Sequence, residues 1–126
     1  MRNTTAWILA VGLAANGLFM LAAPETWYHF IPTVPFTGPF NPHFVRDIGC
    51  AYLVCGLAMA WTAQDPVRGG AAGLLAAIFQ SLHAAMHVWD AAAGRTELIH
   101  LIEDIPTVFV VPLLMLWIAW PRAAKT

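Results

Sequence analysis

Four long apolar runs, separated by short stretches of turn-forming and charged residues, set the pattern of this sequence. A helix rising 1.5 Å per residue needs about 20 apolar residues to cross a hydrocarbon core of about 30 Å. Each run has about this length or more. The pattern therefore predicts an all-α fold, an integral membrane bundle of four transmembrane helices in a single domain over residues 1–126, with helices at about 5–23, 42–62, 66–93 and 97–120.

The boundaries of these helices carry recognisable end signals. Asn41-Pro42 and Asp65-Pro66 each place a good N-cap before a proline that suits the first helical position. Thr96 is a candidate N-cap for the fourth helix, and Gly94 is expected to close the third. Pro121 stops the fourth helix, within which Pro106 and Pro112 are expected to introduce kinks. Gly69 and Gly73 form a small-xxx-small pair that favours close helix contact.

Residues 24–42 differ in kind from the rest of the chain, because five prolines exclude a membrane-spanning helix. Five aromatic residues between these prolines suit the headgroup level of a membrane. Residues 25–31 are predicted to form a short interfacial helix. The segment as a whole is either an aromatic anchor or a lid, as long connections in small proteins often are. Asn16, in the first helix, is expected to make an interhelical hydrogen bond.

Composition supports the membrane interpretation. Hydrophobic residues make up 60% of the chain and charged residues 10%, against about 25% charged in soluble domains. The net charge of −1 argues against a nucleic-acid partner. Cys50 and Cys55 are five apart and point to different faces of one helix, so they are predicted to stay unpaired.

The candidate chemistry centres on the third helix. His83 and His87 are four residues apart, Asp90 is three further on, and all three lie on one helical face. Gln80, three residues before His83, lies on the same helical face and extends it into a polar stripe. Imidazoles and a carboxylate are expensive inside a membrane unless they have partners or a function. This face is therefore predicted to form a polar centre with groups from the neighbouring helices.

Alternating helix direction places most polar residues at one end of the bundle. That end holds all five histidines and six of the seven acidic residues. It carries two basic residues, Arg46 and Arg95, whereas the opposite end carries Arg2, Arg68, Arg122 and Lys125. By the positive-inside rule both termini are cytoplasmic, and the polar centre faces the periplasm or cell exterior.

Histidine with carboxylate is a donor set that suits zinc, iron, manganese or copper. The predicted metal ligands are His83, His87, Asp47 and Asp104. Five further residues are candidate supporting groups or alternative ligands: Asp90, His100, His43, Arg46 and Glu103. A network of hydrogen-bonded His, Asp and Arg side chains without metal is the competing interpretation, and Arg46 with Asp47 is expected to form a local ion pair.

Several motifs resemble those of small four-helix bacterial membrane proteins that are loosely similar to the DoxX-like superfamily. They are Asn16-Gly17-Leu18-Phe19, the segment from Phe40 to Gly49, His83-x-x-x-His87-x-Trp89-Asp90, and Asp104-Ile105-Pro106. The resemblance covers most of the chain and implies the four-helix fold and a bacterial inner-membrane location. It implies no particular activity.

Three functions remain open from the sequence. The first is a membrane-embedded metal centre, as a metal-handling protein or a small metalloenzyme acting on a hydrophobic substrate. The second is a metal-free protein that binds or transports protons or a small molecule, since histidine titrates near neutral pH. The third is a structural subunit of a larger membrane assembly. The expected partners are the lipid bilayer, a hydrophobic small molecule and further copies of the chain.

Overall fold

The computed structural model describes residues 1–121, and within them every regular element is helical. A 3₁₀ turn, Val34–Phe36, lies between the second and third α-helices, and a π-helical segment, Ile105–Phe109, lies between the fifth and sixth. The α-helices are α1 (Arg2–Ala22), α2 (Pro24–Phe30), α3 (Pro42–Gln64), α4 (Pro66–Ala92), α5 (Leu98–Glu103) and α6 (Val110–Ala119). The predicted all-α class is confirmed.

Three of these helices, α1, α3 and α4, are long and apolar enough to cross a membrane. The stretch predicted as a fourth helix with proline kinks, 97–120, is divided into α5, the π-helical segment and α6. Pro106 lies inside the π-helical segment, where its missing N–H interrupts the regular pattern of α-helical hydrogen bonds. Pro112 lies in the first turn of α6, which continues past it without a break.

The capping side chains explain where α3 and α4 begin. The side chain of Asn41 accepts hydrogen bonds from the backbone N–H groups of His43 and Phe44. Asp65 does the same for Val67 and Arg68. The predicted cap by Thr96 is wrong, because Glu97 takes the N-cap position of α5 and makes no side-chain cap bond. Gly94, at φ +69°, follows the end of α4 in the left-handed conformation that glycine adopts readily.

Glycines bring α1 and α3 into direct backbone contact. A Cβ atom at Gly17 would lie 2.6 Å from the carbonyl oxygen of Gly49, and one at Gly56 would lie 2.7 Å from the backbone nitrogen of Ala14. Glycine is required at these positions because any side chain would push the helices apart. Gly69 approaches the backbone of Trp61 and Thr62 at the end of α3 in the same way, and Gly73 packs against the Thr62 side chain, so the pair makes the close helix contact that its spacing predicts.

The remaining packing follows chain order, with α3 against α4 and α4 against α6. The core is built from small and flexible side chains, among which Met59, Ala77 and Met115 are fully buried. Cys55 lies in this core, whereas Cys50 is exposed, and both are free thiols as predicted. Long apolar side chains cover the outside of the same helices, for example Ile8, Leu75 and Leu113.

The connection between α1 and α3 is tied back to the bundle at several points. Trp27 Nε1 on α2 donates to Asn16 Oδ1 on α1 at 2.9 Å, which confirms the interhelical hydrogen bond expected of Asn16. The Tyr28 hydroxyl donates to the carbonyl oxygen of Gly38 at 2.7 Å. The predicted short helix over 25–31 is present as α2, Pro24–Phe30. These bonds hold the loop against the end of the bundle that carries the histidines.

Candidate functional site

The central feature of the polar end is a hydrogen bond between α4 and the start of the π-helical segment. Nδ1 of His87 lies 2.7 Å from Oδ2 of Asp104. Asp104 retains only 4% of its accessible surface, so its carboxylate is removed from solvent. Its backbone carbonyl accepts from the N–H of Val108 at 2.8 Å, which fixes the position of the residue at the junction. We call this contact the His87–Asp104 pair.

His83 extends this pair inward along α4. It lies one helical turn before His87, and the two imidazole rings meet edge to face with centroids 4.8 Å apart. Tyr52 on α3 presents its ring to His83, again edge to face, at 6.1 Å. Side chains from α3, α4 and the π-helical junction therefore converge on one polar centre. Tyr52 was not identified from the sequence, where it is the one phenol in an otherwise apolar stretch of α3.

Gln80 forms the innermost polar position of the same face. It is 2% exposed, and its Nε2 atom has no hydrogen-bond partner among the described residues. The Tyr52 hydroxyl and the Cys55 thiol lie beside the amide. Neither satisfies hydrogen-bond geometry with Nε2. The stripe of Gln80, His83 and His87 predicted from their spacing is therefore present and faces the interior.

A second polar group lies on α5, the helix that leads into the junction carrying Asp104. Nδ1 of His100 lies 2.9 Å from Oε2 of Glu103, one turn further along α5. The His100 ring stacks on Phe36 from the 3₁₀ turn, with centroids 4.5 Å apart and planes 17° from parallel. The segment 24–42, which we call the aromatic loop, therefore reaches α5, next to the junction that carries Asp104.

Other residues predicted for the site lie elsewhere. Asp47 pairs with His43 at 3.4 Å on the surface of α3, where the two side chains are 61% and 88% exposed. The expected Arg46–Asp47 ion pair is wrong, since Arg46 Nε instead donates to the carbonyl oxygen of Leu21. Asp90 faces away from the centre and pairs with Arg95 at 2.8 Å.

The described residues do not fit a three-ligand metal site. No group of three or more His, Cys, Asp or Glu side chains within residues 1–121 is arranged to hold a metal ion. Asp104 is already engaged with His87, and Asp47, the fourth predicted ligand, lies on an exposed surface. Catalytic zinc, by comparison, is usually held by three protein ligands. A transition metal at this centre therefore stays a prediction.

The opposite end of the bundle carries a separate cavity of about 620 Å³. It lies between the start of α1, the α3–α4 junction and the end of α6, with Ala63, Leu74 and Ile118 among its apolar lining. The guanidinium group of Arg2 on its wall donates to the carbonyl oxygens of Trp117 and Ile118. The cavity is thus distinct from the His87–Asp104 pair and contains none of the predicted site residues.

Comparisons of the chain with protein-family models, curated proteins and solved structures give no significant match. The resemblance to DoxX-like proteins therefore stays a prediction. The interpretation of the site rests on the geometry of its residues.

Proposed function

We propose that the chain is a membrane-embedded proton-binding protein whose working group is the His87–Asp104 pair. The observation that carries this proposal is the 2.7 Å contact between the imidazole and a carboxylate that is 4% exposed. A hydrogen bond of this length between these two groups shares a proton that either group can hold. The ring of His83 lies beside that of His87, with the two centroids 4.8 Å apart.

Charge balance explains why the pair binds a proton. With a neutral imidazole and an ionised carboxylate, the pair has a net charge of −1. One more proton makes the pair neutral, whether it is held as imidazolium with carboxylate or as imidazole with carboxylic acid. Because an unbalanced charge is costly in a low-dielectric interior, proton uptake stabilises the site. No protein cation contacts this pair in the described part of the chain.

The membrane arrangement that we propose has four crossings, with both termini in the cytoplasm. The three long apolar helices and the exposed apolar side chains around them support the first three crossings. The fourth crossing is formed by α5, the π-helical segment and α6 together. The orientation rests on the sequence pattern, which assigns four basic residues to the end opposite the histidines; two of them, Arg122 and Lys125, lie outside the described residues.

In this arrangement the polar residues of α4 lie at increasing distances from the membrane surface. The 27 residues of α4 span about 40 Å, so about 5 Å of helix projects beyond each side of a 30 Å core. His87 then lies just inside the hydrocarbon boundary, His83 about one turn deeper, and Gln80 close to the midplane. The site therefore opens toward the periplasmic side, and protons would enter from that side.

Titration of the histidines by NMR tests this proposal directly. With selectively ¹⁵N-labelled histidine in detergent micelles, we expect Asp104→Asn to change the titration of His87. His43 provides the matched control, because it pairs with Asp47 at the surface and should be unaffected by Asp104→Asn. A His87 titration curve that is the same in the wild type and in Asp104→Asn would overturn the proposal.

A transition-metal centre is the second candidate, favoured by one observation. The bond from His87 Nδ1 to Asp104 leaves Nε2 as the free ring nitrogen, which is the arrangement of many metal-binding histidines. His83 would be the second imidazole. Elemental analysis of protein purified without chelator tests this candidate. A near-stoichiometric metal content that His87→Ala removes would support it, and a content below a tenth of an equivalent would exclude it.

A further inference from the structure

The amide of Gln80 is a polar group without a described function. It lies on the same face of α4 as His83 and His87, one turn further into the bundle. Its Nε2 atom is buried and has no hydrogen-bond partner within residues 1–121. An unpaired buried donor typically costs about 1–3 kcal/mol, so Gln80 weakens the fold unless it binds something.

The neighbours of Gln80 define what the amide can bind. A carboxamide nitrogen can only donate hydrogen bonds, so its partner must be an acceptor atom. The Tyr52 hydroxyl lies beside the amide and also presents its ring to His83. The other side chains of α4 near Gln80 that face the interior are the alanines at 76, 77 and 84.

We propose that Gln80 Nε2 donates a hydrogen bond to an acceptor oxygen that enters the bundle past the His87–Asp104 pair. The oxygen belongs to a water molecule or to the carbonyl group of a small apolar molecule. Bound there, it lies between the Gln80 amide and the imidazole of His83, three residues further along the same helical face. This inference rests on the proposed function, because it assigns the inner end of the same proton-binding site.

Selective labelling makes the Gln80 amide directly observable. The chain contains two glutamines, Gln64 and Gln80, so ¹⁵N-glutamine labelling gives two side-chain amide signals. Gln64 is exposed at the end of α3 and serves as the internal control. We expect the Gln80 amide protons to resonate downfield of those of Gln64, as hydrogen-bonded donors do. The substitution Gln80→Met assigns the signal by removing it.

Two measurements distinguish the sources of the oxygen. A magnetisation-transfer cross-peak between the Gln80 amide and water identifies water as the partner. Without that cross-peak, a shift of the Gln80 signal when acetophenone is added to the micelles, with Gln64 unmoved, identifies a carbonyl ligand. A Gln80 signal that shows neither the cross-peak nor the shift overturns the inference.

Thermal stability gives an independent test. Methionine is similar to glutamine in length but has no donor to satisfy. If Nε2 is truly unpaired in the working protein, Gln80→Met raises the melting temperature, and the inference fails. If Nε2 holds an oxygen, the variant loses that bond and melts at a lower temperature, as we expect.

The two proposals fail in different ways. The proton-binding proposal fails if the titration curve of His87 is the same in the wild type and in Asp104→Asn. The Gln80 inference fails alone if the His87 titration curve does respond to Asp104→Asn but the Gln80 amide shows neither the water cross-peak nor the shift with acetophenone.

Discussion

The carboxylate of Asp104 and the imidazole of His87 meet at 2.7 Å across 17 residues of sequence. Each group lies at a different kind of position. His87 belongs to the last turns of a long α-helix, whereas Asp104 sits where α5 gives way to the π-helical segment. The contact therefore links α4 to the π-helical segment, and its loss should lower stability as well as disturb the proposed proton binding.

The first prediction concerns the stability of this pair. In Asp104→Ala, Nδ1 of His87 loses its hydrogen-bond partner at a largely buried site. We expect the free energy of unfolding to fall by about 1–3 kcal/mol, as measured by denaturation in detergent.

The surface pair of His43 and Asp47 offers a matched control, because it joins the same two residue types in solvent. Asp47→Ala should change the free energy of unfolding by less than about 1 kcal/mol. Equal effects of the two substitutions would mean that the His87–Asp104 contact is as weak as a surface ion pair.

The second prediction concerns the close contact of α1 with α3. Alanine at Gly17 would place a Cβ atom 2.6 Å from the carbonyl oxygen of Gly49, so Gly17→Ala should lower the melting temperature. Gly12→Ala, in the same helix, meets no atom within 4 Å and should leave stability unchanged or slightly raised, because alanine favours helix. If Gly17→Ala proved as harmless as Gly12→Ala, the backbone contact between α1 and α3 would not exist.

The third prediction concerns the start of α3. Asn41→Ala removes the side chain that accepts from two backbone N–H groups, and it should reduce the free energy of unfolding by about 1 kcal/mol. Thr96→Ala is the comparison, because Thr96 makes no cap bond and its removal should have little effect. Chemical denaturation of both variants measures the difference, and a larger loss in Thr96→Ala would contradict the assignment of the caps.

The fourth prediction concerns orientation. The sequence pattern assigns four basic residues to the end with the termini, of which Arg122 and Lys125 lie outside the described residues, and two to the end with the histidines. We therefore expect the termini to be cytoplasmic. A reporter that needs the periplasm for activity, fused after Thr126, should therefore be inactive. The same reporter inserted after Gly38 in the aromatic loop should be active. The reverse pattern would place the histidines in the cytoplasm.

Sequence patterns predicted the long helices well because their signals are local. Asn41 and Asp65 cap the next turn of the chain, so their role can be read from a few residues. The stripe of Gln80, His83 and His87 follows from helical periodicity alone. A disturbance of the fourth predicted helix was expected at Pro106, but a proline alone does not predict that the helix widens into a π-helical segment.

The partners of the polar residues were harder to predict, because they depend on how each helix is rotated about its axis. Matching depths along antiparallel helices placed Asp104 level with His83, and its carboxylate in fact pairs with His87, one turn away. Asp47 was expected level with His87, but α3 turns this carboxylate toward the surface and His43. Tyr52, on the side of α3 that faces α4, was missed, since a single tyrosine in an apolar helix gives no periodic signal.

The glycine contacts between α1 and α3 also determine which parts of the molecule can move. Where main chains touch directly, no side chain can change rotamer to let the helices slide or separate. Helices α1 and α3 therefore behave as one stiff unit, and α2 is held to it by the hydrogen bond between Trp27 and Asn16. Any opening that admits a molecule to Gln80 must come from the other side of the bundle. On that side the wall is formed by the short α5 and the π-helical segment, and Phe36 of the 3₁₀ turn stacks on His100 of α5.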